Sequence, residues 1–217
     1  MKLFLLGATA LAALLDFSMG ALIVFAVYKL VGAKPELWYY FLGGLLALGP
    51  DLDLLYFLVT SRKNKSRQQT HHHAFIPHRP IVMIPLVVVT AYFLGETIWA
   101  WIAGLCFFWH YLHDTKGFGG SNMSWFWPFI KKPISLWPLG VEHDQCIAES
   151  LEDHHKWLIE NYVELNRQSR LGLLFSFAVL ATIVTIHFNW HWFQDVYTFG
   201  ILVLVLYNFK NIYKATR

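Results

Sequence analysis

Long apolar runs are the feature that most restricts how this chain can fold. The first run covers residues 3–31 and is interrupted by Asp16. Because an α-helix rises about 1.5 Å per residue, about 20 residues cross roughly 30 Å of hydrocarbon. We therefore predict a span at residues 17–31, preceded by an apolar arm at residues 3–15. The sequence leaves open whether this arm is a cleaved signal peptide, a surface arm or part of a span.

The rest of the chain contains apolar runs of similar character. They lie at residues 37–59, 81–112, 171–188 and 192–207. The run at 81–112 is broken at Gly95-Glu96, which predicts a hairpin of two short spans. We therefore predict an all-α, polytopic membrane protein with about five to six membrane-embedded helices.

Composition supports this class and excludes several others. Only 14% of the residues are charged and 56% are hydrophobic, whereas a soluble domain carries about 25% charged residues. A disordered chain and a basic nucleic-acid-binding domain are therefore excluded, and a net charge of +3 implies no polyanionic partner. The two cysteines, Cys106 and Cys146, have neither disulfide-framework nor zinc spacing.

The predicted layout is a single integral membrane domain, residues 1–217, that has three parts. Basic loops at 61–80 and 114–170 and the basic C-terminal tail are each separated by an even number of crossings. The positive-inside rule therefore places all three in the cytoplasm. Within the second loop, helical spacing of apolar residues predicts an amphipathic surface helix on that face. The three parts are a core at 16–140, the amphipathic segment at 141–170 and a C-terminal helical hairpin at 171–217.

Histidines and aspartates gather on the predicted cytoplasmic face. Six of the eleven histidines lie between positions 71 and 113. Carboxylates and imidazoles in or beside apolar helices are costly unless they are paired or bind a metal. Both groups suit Zn²⁺, our first expectation, and also Mn²⁺ or Fe²⁺. The predicted metal ligands are Asp51, Asp53, His73, His78, His110, Asp114 and, as a further candidate, Asp16.

Spacing supports some of these ligands directly. His110 and Asp114 stand at i and i+4 and project from one helical face. His113 is one turn from His110, so it is an alternative ligand or an outer partner. Asp51 and Asp53 would diverge on a regular helix, but the preceding Gly-Pro pair breaks the helix or starts a new one.

Each group also has a reading without a metal. Asp16 would serve equally well in packing or in a proton relay. Asp51 and Asp53 would cap a helix, and His110 and Asp114 would form a hydrogen-bonded pair. The histidine run at 71–73 would be a surface tract. These separate explanations do not account for the placement of all four groups on one membrane face.

The order of these motifs resembles a family of bacterial inner-membrane proteins described as membrane-bound metal-dependent hydrolases. The matching pieces are Pro50-Asp51-Leu52-Asp53, His73 with His78, His110 with Asp114, a glycine-containing loop at 117–120 and Trp127-Pro128-Phe129. This chain departs from the family pattern at Ala74-Phe75 and has Asp16 in place of an N-terminal histidine. The family is distantly similar to zinc-dependent phospholipase C enzymes.

The resemblance implies a hydrolase of a phosphoester, most naturally a lipid-like substrate, at the cytoplasmic leaflet of the inner membrane. Asp53 or Asp51 would bridge metals or accept a proton, and His113 or His72 would protonate the leaving group. Arg79 or Lys116 would hold a phosphate. A metal sensor or transporter without catalysis is the alternative, and a scaffold with a structural metal is a third reading. The lipid bilayer is the expected partner, and the sequence predicts no oligomeric state.

Overall fold

The computed structural model describes residues 2–52, 76–94, 97–115, 123–130 and 167–188. Two short 3-10 turns, Gly49–Asp51 and Ile76–His78, accompany the α-helices of these segments. No strand occurs in the described segments, so the predicted all-α class is confirmed for them. The α-helices are α1 (Lys2–Leu30), α2 (Leu37–Ala47), α3 (Pro80–Phe93), α4 (Thr97–Asp114) and α5 (Arg167–Phe188).

Two of the described helices are long and apolar enough to cross a membrane. The qualifying windows are Ala13–Leu30 in α1 and Arg170–His187 in α5. Helices α2 and α3 are apolar but shorter. The count of five to six membrane-embedded helices therefore stays a prediction, and the predicted span at 192–207 and most of the surface segment lie outside the described residues.

Helix α1 continues through Asp16, the residue between the predicted arm at 3–15 and the predicted span at 17–31. The backbone is one continuous helix of 29 residues. It packs against α2, α4 and α5, and α3 packs against α4. The core between these helices contains buried apolar side chains from α1, α4 and α5, including Val24, Ile102 and Ile183. Asp16 is thereby held inside the bundle and faces α4.

Glycines bring α1 and α2 into close contact. A Cβ atom added at Gly20 would lie 2.1 Å from the carbonyl oxygen of Gly43 and 2.9 Å from the Cβ of Ala47. No other residue type fits this approach without a shift of the backbone. The contact is one turn from Asp16, so it fixes the depth at which this carboxylate meets the neighbouring helices.

The break at Gly49-Pro50 ends α2 earlier than the predicted span at 37–59. The helix stops at Ala47 and continues as the 3-10 turn Gly49–Asp51, in which the amide of Asp51 donates to the carbonyl of Leu48 at 3.1 Å. Proline has no amide hydrogen and cannot continue an α-helical ladder. Residues 53–59 lie outside the described part of the chain.

The predicted hairpin at 81–112 is present as α3 and α4. Helix α3 begins at Pro80 after an extended Arg79, as expected for the residue before proline. Helix α4 extends to Asp114. The segment 123–130, which contains a cis Trp127-Pro128 bond, packs over α4, and the indole of Trp125 donates to the hydroxyl of Thr115 at 2.8 Å.

Candidate metal centre

The last turns of α4 carry two of the candidate ligands. His110 is fully buried, and Asp114 follows it at i+4. The Nε2 atom of His110 lies 3.1 Å from Oδ2 of Asp114. The helical spacing found in the sequence therefore places both side chains on one face, as predicted.

The two 3-10 turns carry the other two ligands to the same point. His78 is fully buried, and its Nε2 lies 3.4 Å from Oδ2 of Asp114 and 3.7 Å from Oδ1 of Asp51. The same Asp51 oxygen is 3.5 Å from Nε2 of His110. The hydroxyl of Tyr111 donates to the carbonyl of Pro77 at 2.5 Å, which ties the turn that carries His78 to α4.

These four residues form a group that fits a divalent cation. One ligand atom from each of Asp51, His78, His110 and Asp114 lies within 4.8 Å of all the others. Ligand atoms placed tetrahedrally at about 2.1 Å from a zinc ion are about 3.4 Å apart. The four imidazole–carboxylate distances, 3.1 to 3.7 Å, bracket that spacing.

The electrostatics around Asp51 match the protonation state that a carboxylate ligand needs. Burial alone would raise the pKa of Asp51, but the neighbouring imidazoles of His110 and His78 outweigh it and hold this pKa below its usual value. The carboxylate is therefore ionised at neutral pH. Two carboxylates so close together repel each other unless positive charge lies between them, and a metal cation or a protonated imidazole supplies that charge.

The four ligands are not equally accessible. Both imidazoles are enclosed, the Asp114 side chain is 16% exposed and the Asp51 side chain is 35% exposed. The group therefore opens toward the side on which Asp51 lies.

The structure places Asp16 beside this group and outside it. Its Oδ1 accepts a hydrogen bond from the indole of Trp109 at 2.9 Å and lies 3.2 Å from Nδ1 of His113. Its Oδ2 lies 3.8 Å from Nδ1 of His110, the ring nitrogen opposite the one that faces the group. The sequence predicted Asp16 as a further candidate ligand, and its described contacts are with Trp109 and the two histidines of α4.

The remaining predicted residues have varied locations. His113 pairs with Asp16 and stacks on Trp109, with 7° between the ring planes. The guanidinium of Arg79, next to His78 in the chain, lies 5.3 Å above the ring of Trp127. The predicted positions that lie outside the described residues are Asp53, His72, His73 and Lys116.

Sequence reasoning missed two residues that hold the site together. Tyr111 anchors the His78 turn, and Trp109 donates to Asp16. Both are next to His110 in the chain, and that adjacency is the one signal the sequence offers. No spacing rule pairs an indole with a carboxylate 93 positions away, so these contacts needed the structure.

Comparison with known proteins gives one match. The family model described as YdjM inner membrane protein matches residues 12–193. No curated protein and no solved structure matches the chain. The matched region contains all four residues of the metal-binding group and covers most of the chain, in agreement with the inner-membrane resemblance drawn from the motifs. The chain therefore belongs to the YdjM inner membrane protein family.

Proposed function

We propose that this protein is a membrane-embedded, metal-dependent hydrolase that cleaves a phosphoester of a lipid-like substrate at the cytoplasmic leaflet. The observation that carries the proposal is the convergence of Asp51, His78, His110 and Asp114 from three separate stretches of chain. Two imidazoles and two carboxylates form a donor set for Zn²⁺, with Mn²⁺ and Fe²⁺ as alternatives.

The residues around such an ion would have separate roles in binding the metal, holding the substrate and transferring protons. A divalent metal bound there supplies Lewis acidity and activates water near neutral pH. Asp51 lies on the open side of the group, where a substrate would approach. Arg79, held above Trp127 and next to His78, is placed to hold a phosphate. Asp53 and His73 remain proposed ligands, with Asp53 also a proposed proton acceptor and His113 a proposed proton donor.

The position of the group along the helices supports a site at a membrane edge. Its four residues lie in the last turns of α4, in the turn after α2 and in the turn before α3. The basic loops of the sequence assign that edge to the cytoplasm. Transporters, in contrast, place their ion sites near the bilayer midplane.

A metal sensor without catalysis is the second candidate. Structural zinc sites are closed by four protein ligands, whereas catalytic zinc sites keep a position for water. Four ligands at tetrahedral spacing fit the closed type. The exposure of Asp51 favours the catalytic reading, because an accessible carboxylate can share its position with water or substrate.

Metal content and turnover, measured on the same preparation, separate these functions. Detergent-purified protein is loaded with Zn²⁺, dialysed, and assayed with a chromogenic phosphodiester. We expect the wild type to retain metal and hydrolyse the ester, and Asp51→Ala to lose both. Glu36→Ala is the matched control, since Glu36 is an exposed carboxylate that accepts a hydrogen bond from Trp38.

Two other results would change the assignment. Wild-type protein that retains no Zn²⁺, Mn²⁺ or Fe²⁺ would contradict both the hydrolase and the sensor. Retained metal without turnover of phosphoesters or carboxylesters would contradict the hydrolase and support the sensor.

A further inference from the structure

We propose that Asp16 is a positioning residue that acts through His110: it accepts the Nδ1 proton of this imidazole and thereby presents Nε2 to the metal. The inference rests on the metal-binding half of the proposed function and adds a residue from α1 that is not in the ligand group. It does not depend on whether the site hydrolyses an ester.

The two nitrogens of His110 face carboxylates on opposite sides. Nε2 lies 3.1 Å from Asp114 and 3.5 Å from Asp51, inside the ligand group. Nδ1 points the other way, toward Oδ2 of Asp16 at 3.8 Å. An imidazole that binds a metal through Nε2 carries its proton on Nδ1, so this proton is directed at Asp16.

Burial makes an acceptor for that proton necessary. His110 is fully buried, and its Nδ1 has no hydrogen bond at the present distance. A buried N–H group without an acceptor has lost its hydrogen bonds to water and gained none in return, which is unfavourable. Among the described residues, Asp16 supplies the carboxylate within 4.0 Å of this atom. The gap is about 1 Å longer than an N–H···O hydrogen bond, which a small shift of the ring toward Asp16 closes.

Asp16 is itself held in a fixed orientation. The carboxylate is 4% exposed, and one of its oxygens accepts the Trp109 indole hydrogen at 2.9 Å. His113 contacts both of its oxygens, at 3.2 and 3.3 Å. Trp109 and His113 stack on each other, so they form a rigid support that leaves Oδ2 facing His110.

This arrangement reproduces a general feature of metal sites. A carboxylate behind a metal-bound imidazole fixes the ring orientation and increases its basicity, and loss of such a partner weakens metal binding about 10- to 100-fold. We expect the same range for Asp16. A direct ligand would have to place an oxygen within the group, whereas both Asp16 oxygens are engaged on the far side of His110.

The test compares metal affinity across variants of one helix. Zn²⁺ affinity is measured by competition with a chelator for wild type, Asp16→Asn and Asp16→Ala in detergent. We expect both Asp16 variants to bind Zn²⁺ about 10- to 100-fold more weakly. Ser18→Ala is the matched control, because Ser18 is equally buried on α1 and its hydroxyl donates to the carbonyl of Leu15. This control should bind as the wild type does.

A spectroscopic measurement separates positioning from a general loss of structure. In Zn²⁺-loaded wild type labelled with ¹⁵N-histidine, the Nδ1 proton of His110 should resonate far downfield, as expected for a bond to a carboxylate. This resonance should move upfield in Asp16→Asn while the zinc stays bound to Nε2. Since the measurement is made on folded, loaded protein, it does not depend on the stability of the variant.

Three outcomes would overturn the inference, and they differ from one another. Equal Zn²⁺ affinity of wild type and both Asp16 variants would remove the positioning role and leave the four-ligand site intact. Zinc bound to Nδ1 of His110 would make Asp16 part of the ligand set. Wild type that binds no metal would overturn this inference together with the proposed function.

Discussion

At the scale of single residues, His110 connects the metal-binding group to Asp16. Its ring is enclosed, with one nitrogen facing Asp51 and Asp114 and the other facing Asp16. Loss of this one imidazole therefore removes a ligand and also leaves Asp16 without its connection to the metal.

We expect His110→Ala to lower Zn²⁺ affinity by more than about 100-fold, since outer partners alone contribute about 10- to 100-fold. Chelator competition on detergent-purified protein measures this change. His187→Ala is the control, because His187 lies on α5 and packs edge-on against Tyr40, 5.9 Å between ring centres, away from the group. Unchanged affinity in His110→Ala would remove this residue from the ligand set.

At the scale of helices and turns, prolines place the ligands that helical spacing could not. Pro50 and Pro77 each lie in a 3-10 turn directly before a ligand, Asp51 in one case and His78 in the other. Such a turn points a side chain in a direction that a continuing α-helix would not allow. The second turn is connected to α4 through Tyr111.

Removal of the Tyr111 hydroxyl should loosen the second turn. In Tyr111→Phe the carbonyl of Pro77 loses its donor, so we expect the free energy of unfolding to fall by about 1 kcal/mol and Zn²⁺ affinity to fall with it. Chemical denaturation and chelator competition give the two values. Tyr92→Phe, at an exposed position of α3, should change neither. A Tyr111→Phe protein that matches wild type in both would show that the turn holds His78 without this bond.

The contact between α1 and α2 should tolerate no added side chain. We expect Gly20→Ala to lower the free energy of unfolding by about 1–3 kcal/mol, because its Cβ would collide with the backbone of Gly43. Denaturant titration in detergent measures the loss. In Gly172→Ala the new Cβ would meet Leu15 at 3.7 Å, an ordinary contact, so this variant should be as stable as wild type or more so. Equal stability of Gly20→Ala and wild type would show that the helices can separate at no cost.

The sequence predicted the site best where spacing alone fixes geometry. His110 and Asp114 share a helical face because of their i, i+4 separation, and the α3–α4 hairpin follows from the interruption at Gly95-Glu96. Asp51 and His78 were found from chemistry, but nothing local shows that two turns 27 positions apart meet. Asp16 was a further candidate ligand, with packing or a proton relay as the other roles, because the sequence cannot tell which side of an imidazole a carboxylate faces. The sequence also left open whether residues 3–15 belong to the span, and the structure continues one helix through Asp16, whose side chain is buried against α4.

At the scale of the whole molecule, the ligand group connects stretches that are far apart in the chain. Its residues extend from Asp51 to Asp114, and α1 closes the group from behind. A cation bound by the folded arrangement and not by the unfolded chain stabilises the folded state according to its concentration. The metal is therefore expected to contribute to the stability of the helix bundle as well as to its chemistry.

Thermal unfolding should depend on free metal. With Zn²⁺ at about 1,000 times its Kd, we expect about 4 kcal/mol of stabilisation relative to protein in a chelator. Melting curves recorded over a series of buffered Zn²⁺ concentrations measure the dependence. The double variant Asp51→Ala/Asp114→Ala should melt at one temperature throughout the series. A wild-type melting temperature that is independent of Zn²⁺ would mean that the ion does not couple to folding.

The unequal exposure of the four candidate ligands leaves the metal-binding group accessible on one side and enclosed on the other. His78 and His110 lie on the enclosed side, and Asp51 is the most exposed of the four candidate ligands. A metal-seeking inhibitor such as a hydroxamate would thus have to arrive past Asp51, and bulk introduced beside this residue should slow its arrival while the ion stays in place. The same accessible side would decide which substrates reach a bound ion, so the side chains around Asp51 would set the selectivity of the proposed hydrolase.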